Sequence, residues 1–257
     1  MAPVALVRDP LHRGPASLAQ TPTARIATIT PSGNTVVERV TLAILADFPE
    51  VSPHFSRTPV HGDRDPFPQS YDFDSMLAAA RLLAHAQPNV IVWNGSKAGS
   101  IDFALDHALC SRITEQTGIA ATTSILALDE LLKSAGVVRI ALVSPYDTAY
   151  QQKSVACFGR AGYECLSEAH SGLSDNLSFA TVSTQEIATM LREVAKSKPA
   201  AIVTLCTNFL AVPVIPALEA ELGIPIYDTT VLAIWKALKL CGIEPQRGRH
   251  WGRLFEL

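Results

Sequence analysis

Residues 200–206, AAIVTLC, form an apolar run without polar alternation, and two small polar residues, Thr207 and Asn208, follow at once. A strand wetted on one face alternates apolar and polar residues, whereas a parallel strand covered by helices on both faces stays apolar throughout. The run therefore reads as a buried parallel strand. Three others share its character: RIATIT (25–30), NVIVW (89–93) and VRIALVS (138–144). Between and after them lie longer stretches with apolar residues at helical spacing: NTVVERVTLAILADF (34–48), SMLAAARLLAHAQ (75–87), SIDFALDHALCSRITEQTG (100–118), SILALDELLKSAG (124–136), TQEIATMLREVAKSK (184–198) and VLAIWKALKLCG (231–242). Repeated strand and helix units predict an α/β architecture. The pattern runs twice, once from residue 25 and again from near residue 120, which predicts two similar sheets with a cleft between them.

Composition fits that reading and excludes several function classes. With 257 residues, 48% of them hydrophobic and 18% charged, the chain can bury a sizeable core. A formal charge of -3 and the absence of a clustered Lys/Arg run give no electrostatic reason to expect nucleic acid or an anionic membrane as a partner. No apolar stretch reaches the roughly 20 residues of a membrane helix. Residues 1–24 lack a continuous apolar core of the signal-peptide kind and read as a loose N-terminal arm, so a cytoplasmic location is expected. Five cysteines (Cys110, Cys157, Cys165, Cys206 and Cys241) include no CxxC pair and no Cys/His ligand spacing, so neither a metal site nor a disulfide framework is expected. Cys110, Cys157 and Cys241 fall in apolar helical patterns and Cys165 in a strand-like run. Cys206 alone stands at the end of an element.

In open parallel sheets, ligands gather beyond the carboxyl ends of the strands, so those loops carry the functional argument. TPSGNTVVE (30–38) places Asn34 to open a helix, either as a simple cap or as a carboxylate donor. WNGSKAGS (93–100) offers Gly95 for close backbone approach and the Ser96 hydroxyl, but lacks the GxxxxGK[ST] order of a phosphate loop. Lys97 beside them is either a solvated loop lysine or a contact to an anion. TTS (122–124) supplies three hydroxyls before a helix, and Tyr146 in SPYDTAY (144–150) either packs at a sheet edge or donates to a carboxylate. GLSDNLSF (172–179) is a polar loop whose Asp175 and Asn176 are also good turn formers. Cys206 is expected to lead, through Thr207 and Asn208, into a helix whose N-terminus lowers the thiol pKa and holds an anion beside the sulfur. Such a thiol acts as a nucleophile or as a proton donor to a carbanion.

These loops, in this order, resemble the aspartate/glutamate racemase superfamily, and within it the branch of maleate cis-trans isomerases and arylmalonate decarboxylases. PSGNTVVE, TTS, Tyr146, SDNL and LCTN resemble the isomerase pattern, while the closing WGRLFEL is similar to the decarboxylase's end. The resemblance runs from about residue 25 to the end. It implies two pseudo-symmetric, Rossmann-like α/β domains, each with a parallel four-stranded sheet flanked by helices, and a site in the cleft between them that needs no cofactor. The first domain would hold residues 25–120 plus the segment from about 228 to 257, and the second residues 121–227.

Racemases and isomerases of this family set one cysteine from each domain on opposite faces of the substrate. The second of these corresponds to Cys206, whereas the first corresponds to Gly95, and no cysteine occurs in 94–100. The decarboxylase branch also has glycine there. The resemblance thus implies a single-cysteine enzyme acting on a small dicarboxylate, foremost a malonate-type decarboxylase in which Cys206 protonates an enediolate. A maleate isomerase-like or racemase-like activity with Cys206 as the only thiol is the second expectation, and a non-catalytic carboxylate-binding relative the third. Asn34, Gly95, Ser96, Tyr146, Asn176, Thr207 and Asn208 are the substrate-binding candidates. Asn34 and Asn176, with Thr207 and Asn208 in place of the decarboxylase's glycines, suggest a small polar substrate rather than an aryl one. Homo-oligomerisation is the general expectation for such enzymes.

Overall fold

The computed structural model describes residues 21–60 and 66–257. Two four-stranded parallel sheets organise it. The first contains β1 (Ala24–Pro31), β2 (Val51–Thr58), β3 (Val90–Trp93) and β4 (Ala120–Thr123) in the order β2-β1-β3-β4. The second contains β5 (Arg139–Tyr146), β6 (Glu164–Leu173), β7 (Ala201–Thr204) and β8 (Ile226–Asp228) in the order β6-β5-β7-β8. The two orders are the same pattern applied twice, as the repeated strand and helix units predict.

Helices cover both sheets: α1 (Val37–Leu45), α2 (Phe73–Ala84), α3 (Ala104–Thr117), α4 (Ser124–Ser134), α5 (Thr148–Arg160), the single turn α6 (Asn176–Phe179), α7 (Thr184–Ala195), α8 (Ile215–Leu222) and α9 (Thr229–Leu240). Capping residues start several of them at the carboxyl end of a strand. Thr123 accepts from the Leu126 amide, Asp147 from Tyr150, and Asp228 from Thr230 and Val231. Each cap satisfies amides that the first helical turn leaves without partners. Two helices stop at glycines in the left-handed region, α3 at Gly118 (φ 69°) and α8 at Gly223 (φ 70°), where a side chain would be strained.

Strand ladders set which residues each sheet holds. The boundary expected after residue 120 falls inside β4, whose pairing with β3 runs from Val90↔Ala120 to Trp93↔Thr123, so residues 120–123 belong to the first sheet. Ala24 likewise belongs to β1 rather than to an N-terminal arm, and residues 1–20 of that arm lie outside the described residues. The last strand of the second sheet ends at Asp228, and α9 then returns to pack on β3 and β4 of the first. That return is tied by the Asn94 amide, which donates to the Thr230 carbonyl at 3.1 Å. No described helix is long and apolar enough to cross a membrane.

Candidate active site

A cavity of about 370 Å³ opens at the carboxyl ends of the two sheets. The first sheet contributes Pro31, Thr58, Trp93, Gly95, Ser96 and Lys97, and the second Tyr146, Leu173, Cys206 and Thr207. Cys206 is the only one of the five cysteines to line it.

The sulfur sits in a tight polar setting. Cys206 is buried, its Sγ accepts from the Asn208 amide at 3.4 Å, and its own amide donates to Thr229 Oγ1 at 3.3 Å. The expected helix N-terminus is not there: β7 ends at Thr204, residues 207–209 form a turn, and the next helical segments are a 3₁₀ turn at Val212–Val214 and then α8. Burial therefore governs the thiol and pushes it up to about 12. Hydrogen bonds from Asn208 and Tyr146 pull it down only in part, and the Asp228 carboxyl raises it further. This reverses the expectation of a lowered pKa. At pH 7 such a thiol is neutral.

Tyr146, from the end of β5, bridges the two sheets. Its hydroxyl lies 3.1 Å from Ser96 Oγ in the loop after β3, and its ring packs edge-on against Tyr150 at 4.6 Å and Phe179 at 5.4 Å. Burial, with Cys206 and Tyr150 nearby, holds the Tyr146 hydroxyl well above the usual phenol range. It is a neutral donor, not an edge residue wetted by solvent.

The asparagines divide into two kinds. Asn34 Oδ1 accepts from the Val36 and Val37 amides at 2.8 Å each, and its Nδ2 donates to Thr207 Oγ1 at 3.3 Å. Asn208 Oδ1 accepts from the Thr35 amide at 2.9 Å, and its Nδ2 donates to the Asn176 carbonyl at 2.5 Å. Both side chains are committed to clamping the two halves together, and neither lines the cavity. Asn176 does line it, and its buried Nδ2 has no protein partner. Lys97 also lines the cavity, with Nζ donating to the Phe67 carbonyl at 2.7 Å.

The model of the arylmalonate decarboxylase family matches residues 65–255. The chain belongs to the arylmalonate decarboxylase family. The arylmalonate decarboxylase of Bordetella bronchiseptica is 25% identical over 197 residues, covering 74% of this chain and 81% of that enzyme. The maleate isomerase of Nocardia farcinica is 23% identical over 224 residues, covering 84% and 89%. In fold, the chain is similar to a mutant of the Nocardia farcinica maleate cis-trans isomerase solved with a covalently bound succinylcysteine intermediate, with a TM-score of 0.79, 23% identity and coverage of 90% of this chain and 98% of that one. The characterised relatives of this family member are thus enzymes, of the decarboxylase and isomerase kinds.

Several lining residues of this decarboxylase-family cavity escape a sequence reading. Tyr71, Trp93, Tyr150 and Phe179 give it an aromatic wall, and Lys153 adds a cation. Behind the wall lies Asp106, fully buried on α3, its carboxyl raised to about 7 by burial although hydrogen bonds from Thr123 and Tyr71 oppose the shift. A signal for it exists: Asp106 shares one helical face with Phe103 and Ile113, and an acid on an apolar face needs a partner. The TTS stretch, by contrast, caps α4 through Thr123.

Proposed function

We propose that the chain decarboxylates a malonate-type diacid, with Cys206 as the proton donor. The observation that carries this reading is the neutral, buried thiol of Cys206 lining a cavity whose first-sheet loop bears Gly95 and no cysteine. In the reaction, the bond from the α-carbon to one carboxylate breaks, CO2 leaves, and the electron pair passes into an enediolate on the retained carboxylate. The Ser96 and Tyr146 hydroxyls, with the Asn176 amide, are the donors for that developing charge. The Cys206 S–H then gives its proton to the α-carbon, and the thiolate regains one from water, so one proton is consumed per turnover. A carbanion beside a carboxylate is far more basic than a thiolate, so a thiol held neutral is suited to this step, whereas attack on a double bond requires the thiolate.

The aromatic wall supports a substrate with an apolar substituent on the α-carbon, and Lys97 and Lys153 fit its negative charge. This departs from the small polar substrate suggested by the asparagines, because Asn34 and Asn208 are engaged in holding the protein together. The test is CO2 release from a panel of α-substituted malonates by the wild type and by Cys206→Ala. No release from any of them, or an undiminished variant, would overturn the proposal.

A second reading, isomerisation of maleate, assigns the unpartnered Asn176 amide to the second carboxylate of that diacid instead of to a developing enediolate. Formation of fumarate from maleate, with no CO2 from malonates, would establish it instead.

A further inference from the structure

Gly95 stands two residues after Trp93, yet a Cβ built on it would meet the Trp93 indole at 2.2 Å from Cζ2 and 2.4 Å from Cε2. The indole is folded over the α-carbon of Gly95. It is also fastened there. Trp93 is 3% exposed, and its Nε1 donates to the Tyr71 hydroxyl at 3.2 Å. Tyr71 donates in turn to Asp106 Oδ1 at 2.5 Å and accepts from the Ala98 amide at 3.2 Å, while Thr123 Oγ1 donates to Asp106 Oδ2 at 2.5 Å. The Tyr71 and Trp93 rings meet edge to face, 6.0 Å apart. Moving the indole aside would strip a buried donor of its acceptor and open a void in a close-packed wall. Neither comes cheaply.

We infer that Trp93, positioned by Tyr71 and Asp106, is the specificity-determining residue of the first-sheet wall: its indole bars any side chain at position 95 and limits the bulk of the substituent the cavity accepts. The absence of a thiol at Gly95 is then enforced by a neighbour, so no single substitution at 95 can supply a second reacting group. The bulk limit rests on the cavity being the malonate site proposed above. The Trp93–Gly95 exclusion does not.

The experiment is a double-mutant cycle with a binding readout. Gly95→Ala is expected to lower Tm by roughly 3–10 °C in the wild type and to cost little in Trp93→Ala, or in Trp93→Leu if the alanine variant does not fold. An equal loss in both backgrounds would overturn the exclusion. Titration calorimetry with methylmalonate and naphthylmalonate in the Cys206→Ala background, where turnover is removed, reads the bulk limit: Trp93→Ala should shift the ratio of their Kd values about tenfold towards the larger acid, and Tyr71→Phe should shift it the same way by less. A ratio unmoved by Trp93→Ala would remove the specificity role, and one unmoved by Tyr71→Phe would remove the positioning role. If the wild type binds neither acid, the functional proposal fails while the Tm cycle still decides the exclusion.

Discussion

The hydroxyls of Ser96 and Tyr146 lie 3.1 Å apart although one residue follows β3 of the first sheet and the other ends β5 of the second. The contact spans the cleft beside the Cys206 sulfur, so a substrate carboxylate that accepts from both would bridge the two halves of the molecule. Ser96→Ala and Tyr146→Phe should each lower kcat by about 10- to 1000-fold. The double variant should lose less than the product of the two, because the pair acts on one developing charge. Losses that multiply would mean that the two hydroxyls act on separate charges, and variants that leave kcat intact while raising KM would place them outside the chemical step.

Alkylation of Cys206 should be slow near neutrality. With the thiol pushed up to about 12 by burial, iodoacetamide labelling followed by mass spectrometry should be very slow at pH 6 to 9 and rise about tenfold per pH unit across that range with no plateau. Saturating substrate should slow it further. A reactivity step near pH 7 would mean that a charge or dipole outweighs burial, and would favour the isomerase reading in which the thiolate attacks.

Asp106 should write its burial into the pH dependence of stability. Its folded pKa, about 7, stands above the unfolded value near 3.9, so the folded state holds the proton more tightly. The stability this contributes is complete below about pH 4 and is lost as pH rises through about 7. Asp228, raised to about 6 by burial, acts in the same direction. Urea unfolding of wild type and Asp106→Asn at pH 5 and pH 8 isolates the first group, and the variant should gain on the wild type by on the order of 2–3 kcal/mol between the two. Parallel profiles would show that the carboxyl stays ionised throughout.

How much of this was legible in the sequence follows from where each strand sits. β1, β3, β5 and β7 are the inner strands of their sheets, covered on both faces, so they read as unbroken apolar runs. β2, β4, β6 and β8 are the outer ones: VSPHFSRT and ECLSEAHSGL are largely half-exposed, and AATT and IYD are too short for a pattern. Helix α5 shows only a weak pattern around Cys157, because its inward positions include the polar Gln151 and Ser154 as well as Cys157 and Phe158. Ser96, Tyr146 and Cys206 could be found because strand ends are where ligands gather. The bonds by which Asn34 and Asn208 join the two halves could not, since Asn34 to Thr207 and Thr35 to Asn208 each link residues 173 positions apart. Nor could the Trp93 to Asp106 chain be assembled: the acid of Asp106 on an apolar helix face signals that a partner is needed, but nothing local says that the partners are Tyr71 and Thr123.

Asn34 and Asn176 give a final contrast, since one amide is spent on the fold and the other is held in reserve. Asn34→Ala removes two capping bonds and the link to Thr207, so it should cost about 1–2 kcal/mol of stability. Asn176 pays the cost of a buried Nδ2 with nothing in return from the protein, while its carbonyl, which Asn208 uses, survives any side-chain change. Asn176→Ala should therefore leave thermal stability unchanged or raised, and should raise KM or lower kcat by about tenfold or more. A destabilised Asn176→Ala with unaltered kinetics would make this amide a packing element, and would take from the cavity its one unspent asparagine donor.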